Sequence, residues 1–225
     1  MVLAAQDESP AAQEALEKLC RTYWRPVYSF VRRQGTGHGE AEDLTQGFFA
    51  LLLERRDFDA VRKEKGRLRS YLLTSLKHFL ASEQRRAMTA KRGRGQRLIP
   101  LEELSANERI EMEPADPLSA DRRYERRWAL TLMEQVLRRL KDEYVTAGNA
   151  VLFDSLKQLL PDEPGAPSRA EIASQLGMTD NAVRQAFHRF RHRYQLLLRE
   201  EISHTVAVAS DVEEELRHLI SVLRT

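Results

Sequence analysis

An all-α fold, with two helical domains joined by a flexible linker, is what this sequence predicts, and three observations predict it. Apolar residues recur at spacings of three and four through most of the chain, the period of a helix packed on one face. The recurrence stops between residues 87 and 120, where Gly93, Gly95, Pro100, Pro114 and Pro117 accompany segregated charge. No stretch alternates as a strand does, beyond short ambiguous runs near Leu98 and Thr205. The expected partition is a first domain over 1–90, a linker over 91–120, a second domain over 121–204 and a helical extension over 205–225.

Each element follows in order. From Ala12 to Gln34, Leu16, Leu19, Tyr23, Val27, Phe30 and Val31 form a helical stripe, and Pro26 should kink that helix or divide it. Gly35 to Gly39 is a turn. Glu40 to Arg56 is a second helix with Leu44, Phe48, Leu51 and Leu52 inward, and Gly66 is a break. Arg67 to Arg86 is a third helix with Leu68, Tyr71, Leu72, Leu76, Phe79 and Leu80 on its stripe. Helix resumes from Ser119 to about Leu140 and from Val151 to Leu160. The proline-rich run from Pro161 to Pro167 stops it.

From Ser168 the signals sharpen. Ser168 followed by Glu171 is a capping box. Ile172, Ala173 and Leu176 face inward, and Gly177 supplies the positive φ of a helix end. Thr179 or Asp180 caps the next helix, whose inner residues are Val183, Ala186, Phe187 and Phe190. The small Ala173, the turn at Gly177 and the plugging Val183 have the spacing of a helix-turn-helix. Its outer face would be Asn181, Arg184, Gln185, His188, Arg189, Arg191 and His192. Asn and Gln pair with adenine edges, Arg with guanine, and further arginines, including Arg193, suit phosphates. A helical hairpin with a solvated basic face is the plainer reading of the same residues. The last helix, Asp211 to Leu223, should pack back on the second domain or bind a regulator.

Composition narrows the function classes. The net charge is only +2, with 42% hydrophobic and 31% charged residues. No run approaches the roughly 18 apolar residues of a membrane span, and MVLAAQDESP lacks a basic leader segment, so neither membrane nor secretion is expected. The lone Cys20 rules out an internal disulfide and fits a reducing cytoplasm. Charge is segregated: Arg85, Arg86, Lys91, Arg92, Arg94 and Arg97 precede Glu102, Glu103, Glu108, Glu111, Glu113 and Asp116. Basic clusters of this kind supply the salt-dependent part of nucleic-acid affinity. His188 and His192 have helical metal-pair spacing, but arginines interleave them and no third ligand is identifiable, so no metal or other cofactor is expected. No nucleophile–base pairing stands out, and Gly93-Arg94-Gly95 lacks the context of a phosphate loop. An enzyme is not expected.

Against this background, Ala41-Glu42-Asp43-Leu44-Thr45-Gln46-Gly47-Phe48-Phe49 resembles region 2.2 of sigma factors. Lys65 to Leu73 resembles their region 2.3, and the helix-turn-helix resembles region 4.2. Order and spacing are similar to the extracytoplasmic-function sigma factors, in particular a subgroup common in planctomycetes and related bacteria. The resemblance spans nearly the whole chain. It implies docking on the polymerase β′ clamp through Asp43, Gln46, Gly47, Phe49 and Ala50, and a second contact with the β flap. It implies capture of the opened −10 promoter element by Thr74, Lys77, His78, Ser82, Arg85 and Arg86, with Lys77 and His78 at a base pocket. Tyr71 and Phe79 are stacking platforms or, more simply, core. The helix at 180–199 would read the −35 element. The partners so implied are core RNA polymerase, promoter DNA and, as in related factors, an anti-sigma factor or other regulator. Two departures stand out: the proline-rich insert before Ser168 and the tail after Glu201. A polymerase-independent helix-turn-helix regulator and a sigma-like adapter for a regulatory protein are the rival readings.

Overall fold

The structure, a computed structural model, describes residues 10–55, 67–92, 119–160 and 167–224. Every regular element among them is helical, as expected of the all-α class. The helices are α1 (Pro10–Arg33), α2 (His38–Arg55), α3 (Leu68–Arg92), α4 (Ala120–Thr146), α5 (Ala150–Lys157), α6 (Arg169–Leu176), α7 (Asp180–Ser203) and α8 (Val212–Arg224). A 3-10 turn at Ala209–Asp211 leads into α8. Extended backbone contact among the described residues is limited to an isolated bridge between Arg67 and Val206, beside the expected ambiguous run at Thr205. The run near Leu98, the Gly66 break, the acidic stretch from Glu102 to Asp116 and prolines 161 and 164 lie outside the described residues. No described helix is long and apolar enough to cross a membrane.

Packing resolves into two units. The first comprises Met1–Ala129 with His204–Thr225, the second Leu130–Ser203. These borders differ from the expected ones. The first turns of α4 and the whole C-terminal segment belong with α1, α2 and α3, because the side chains that bury them are there. Tyr124 and Trp128 of α4 and Leu219 of α8 are all buried in this unit. The expected packing of the last helix on the second domain is thereby corrected.

In the first unit, α1 packs on α2, and Leu19, Tyr23, Val27, Phe30 and Val31 of α1 are buried. Pro26 does not divide α1, which is continuous from Pro10 to Arg33. A proline removes one helical N–H, and the burial of this apolar stripe offsets that loss. Arg32 donates to the Thr36 carbonyl at 2.5 Å, and Gly35 takes a φ of 85° in the turn that follows. Thr45 is fully buried on α2 and returns its hydroxyl to the Ala41 carbonyl at 2.7 Å. Helix α3 continues past the expected Arg86 to Arg92, through the good helix formers Ala87, Met88, Ala90 and Lys91.

An ionic cluster binds the C-terminal segment into this unit. Arg69 is 4% exposed and Glu215 is 0% exposed. Arg69 Nε and Nη2 donate to the two Glu215 oxygens at 2.6 and 3.2 Å, and Nη1 donates to Glu125 at 2.8 Å. The guanidinium also lies 5.3 Å from the centre of the Trp128 ring. The Tyr124 hydroxyl donates to the Arg69 carbonyl at 3.1 Å. Leu68 N–H donates to the Thr205 carbonyl at 3.0 Å, so backbone and side chains hold the segment together.

In the second unit, α4 runs on to Thr146 rather than ending near Leu140. Tyr144 explains the extra turn: its ring meets Phe153 and Phe190, each at 5.8 Å. Phe153, Leu156, Ile172, Val183 and Phe190 form the core shared by α5, α6 and α7. Two ion-pair sets link α4 to α7: Arg139 with Glu200 and Glu201, and Arg193 with Glu143.

Candidate nucleic-acid interface

The helix-turn-helix is built as its local sequence dictates. The Ser168 hydroxyl accepts from Glu171 N–H at 3.2 Å, and Glu171 accepts from Ser168 N–H at 2.7 Å. The Ser168 backbone N–H foremost, and then its hydroxyl, which donates to the same carboxylate at 2.8 Å, hold the Glu171 carboxyl below its usual range. Gly177 caps α6 with a φ of 62°. Of the two capping candidates for α7, Thr179 does the work, accepting from Ala182 N–H at 3.2 Å. Ala173 and Val183 are buried at the crossing.

The outer face of α7 is open. Asn181, Arg184, Gln185, His188, Arg189, Arg191 and His192 are all exposed. A cleft of about 590 Å³ runs along part of this face, lined by Arg184, His188, Arg191, His192 and Gln195. Its far wall adds Arg169 and Leu159, which the sequence reading did not single out. Arg169 was legible as a cation at the first helical position, but nothing local shows that it converges on α7. The Arg191 guanidinium lies 5.9 Å from the Phe187 ring centre. Arg193 differs: it makes a two-pronged pair with Glu143 at 2.8 and 2.5 Å, which lowers the Glu143 pKa, and it is committed inside the unit.

On the first unit, the expected docking residues divide. Asp43, Gln46 and Ala50 are exposed on α2. Gly47 faces α3, where the Phe79 ring lies 3.4 Å from the place a Cβ would occupy. Phe49 is a correction: it is 4% exposed, stacked on Trp24 at 5.7 Å and edge-on to Phe48 at 5.6 Å. It is a core side chain, because position 49 falls on the buried stripe with Ala41, Thr45, Phe48 and Leu52. Trp24, half-exposed beside it, is the aromatic at the surface.

Four of the α3 site residues, Lys77, His78, Ser82 and Arg86, line two clefts; Thr74 and Arg85 line neither. The first, about 670 Å³, lies between α2 and α3 and receives His78, Ser82 and Arg86 opposite Asp43, Gly47 and Ala50. Tyr71 and Phe79 are half-buried in its wall. The second, about 470 Å³, is lined by the apolar Phe30, Leu44 and Leu80 and by Lys77, Glu40, Glu83 and Asp121. Lys77 and His78 are adjacent in sequence, so a helix turns them about 100° apart, into different clefts rather than one pocket. Lys77 pairs with Asp121 at 2.7 Å. Arg86 pairs with Glu83 at 2.8 Å, Arg85 donates to the Ala81 carbonyl at 3.1 Å, and Thr74 is exposed.

Architecture and site together define an all-α protein carrying a helix-turn-helix with an exposed cationic and amide-bearing outer face. Comparison with protein-family models, with curated proteins and with solved structures gives no match.

Proposed function

We propose that this chain is a transcription initiation factor that acts in the cytoplasm, binds core RNA polymerase and directs it to promoter DNA. The observation that carries the reading is the exposed face of α7. A capped, glycine-turned helix pair presents Asn181, Arg184, Gln185 and His188 outward, with no acidic side chain among them from 181 to 193. A major groove admits one helix, and those side chains match the donor and acceptor edges of adenine and guanine. Arg169, Arg189 and Arg191 suit the flanking phosphates. In the first unit, exposed Asp43, Gln46 and Ala50 form the surface offered to the β′ clamp, with the β flap the partner of the second unit. The α3 side chains Thr74, Lys77, His78, Ser82, Arg85 and Arg86 hold the opened −10 strand. No cofactor enters this mechanism, which consists of binding, positioning and strand capture.

The test is reconstitution. The full chain mixed with core polymerase should form a stable complex and open promoter DNA, read by permanganate footprinting of the −10 region and by sequencing the transcripts. Lys77→Ala and His78→Ala should each reduce opening. A chain that ignores polymerase and binds duplex operators unaided, as a dimer, would instead be a conventional regulator.

A further inference from the structure

Ordinary surface ion pairs on a helix are local, as with Arg21 and Glu17 or Arg86 and Glu83. Lys77 and Arg67 of the first unit make pairs that are not. Lys77 meets Asp121, which lies 44 residues away at the start of α4. Arg67, at the foot of α3, pairs with Glu214 and Glu215 of α8. In both, a cation on α3 or at its start is met by a carboxylate from a distant segment.

Exposure separates these pairs from the structural one. The Arg69–Glu215 side chains are 5% and 0% exposed, a sealed contact. Lys77 and Asp121 are 47% and 50% exposed, and Glu214 is 60% exposed against an Arg67 that is 26% exposed and keeps the buried Glu215 on its Nε at 3.0 Å. Water and solutes reach them, so a competing anion can exchange with either carboxylate. Burial tends to lower the Arg67 pKa, but Glu214 and Glu215 outweigh it and raise it. Arg67 in turn holds Glu214 below the usual carboxylate range. Displacement by another anion, rather than protonation, is therefore the route by which this pair opens near neutral pH. Lys77 shares its cleft with the apolar Phe30, Leu44 and Leu80 and with the carboxylates Glu40 and Glu83, so a strand is met there at Lys77 itself.

We propose that Asp121 and Glu214 stand in for the phosphates of single-stranded nucleic acid, occupying Lys77 and the outer nitrogen of Arg67 until a phosphodiester strand displaces them. Arg67 thereby becomes a phosphate-binding residue of the first unit, and the free chain is partly self-blocked. The inference rests on the reading that α3 meets nucleic acid, and adds the device that restrains it.

Full-length D121N, E214Q and the double variant test this. Both positions are exposed enough for the chain to fold, which matching far-UV circular dichroism and melting would verify. Binding of a short fluorescein-labelled single-stranded oligonucleotide is followed by anisotropy across a salt titration. Each single variant should bind roughly two- to five-fold tighter at low salt, the scale of an exposed pair. Each should also steepen the logarithmic salt dependence by about 0.7, the value for one added contact to a single strand, and the double by about 1.4. Adding K77A to D121N should return that variant to or below the wild-type affinity. A double variant with wild-type affinity and slope overturns the proposal, as does a D121N gain that survives K77A, or absence of strand binding in every variant. Polymerase binding is scored separately: failure there with the salt-slope change intact removes the initiation-factor reading and leaves this one standing.

Discussion

Replacing Glu215 with alanine probes how the C-terminal segment is held. Glu215 is fully buried, accepts two hydrogen bonds from Arg69 and faces Arg67 Nε at 3.0 Å. Truncating one partner of a buried ion pair leaves the other charge desolvated and alone, which costs about 3–5 kcal/mol. Arg69 keeps Glu125 at 2.8 Å, and that carboxylate is 24% exposed, so the lower end, about 3 kcal/mol, is expected. Against a total stability of about 5–15 kcal/mol, this is a large share. Urea unfolding followed by tryptophan emission reads it directly, because Trp24 and Trp128 both belong to the first unit. Trp128 moreover sits under the Arg69 guanidinium. With a slope of about 1–3 kcal/mol per molar urea, the midpoint should fall by about 1–3 M. The paired change R69M with E215L removes both charges and should be far milder than E215A, near neutral or stabilising. If E215A lost less than about 1 kcal/mol, or the apolar pair proved worse than the single truncation, the account of a charge-anchored C-terminal helix would be wrong.

Other expectations concern single side chains. Phe49→Ala should cost about 3–5 kcal/mol in the same urea assay, as a core aromatic does; a cost under about 0.5 kcal/mol would return Phe49 to the surface. Gly177→Ala places an L-residue at a φ of 62° and should destabilise the second unit by about 1–2 kcal/mol, read as a lower melting point by circular dichroism. His218 is held below its ordinary 6.5, first by burial and then by Arg69, with Glu125 and Glu215 opposing. The unfolded chain therefore takes up this proton at a higher pH than the folded one. The His218 contribution is fully present above about 6.5 and is lost as pH falls through the lowered folded-state value. Urea midpoints should accordingly drop between about pH 7 and pH 5, and His218→Gln should flatten that slope. Arg191→Ala should weaken duplex promoter binding and reduce the logarithmic salt slope by about 0.9, measured by anisotropy; an unchanged slope would take Arg191 off the phosphates.

Elements governed by near neighbours were legible in the sequence. The Ser168–Glu171 capping box, the left-handed Gly177 and the inward Ala173, Val183 and Phe190 depend on residues within a few positions, and all take the expected form. The exposed stripe of α7 follows from the same period. Helix ends were harder: α4 gains its last turn from Tyr144, whose aromatic partners come from α5 and α7. Phe49 was misplaced because a short motif says which residues stand together, not which side of the helix a neighbour such as Trp24 will cover.

Local pattern by itself determined the all-α class, most of the helices, the caps of the helix-turn-helix and the polar outer face of α7, since hydrogen bonding and side-chain period within a helix reach only three or four residues. Tertiary structure decided that the last helix joins the first unit, that Lys77 meets Asp121, and that Arg69 is buried against Glu215. Those outcomes depend on which charges and apolar faces meet after the chain has folded back. A buried guanidinium must find its carboxylates wherever they lie, here 146 residues along the chain.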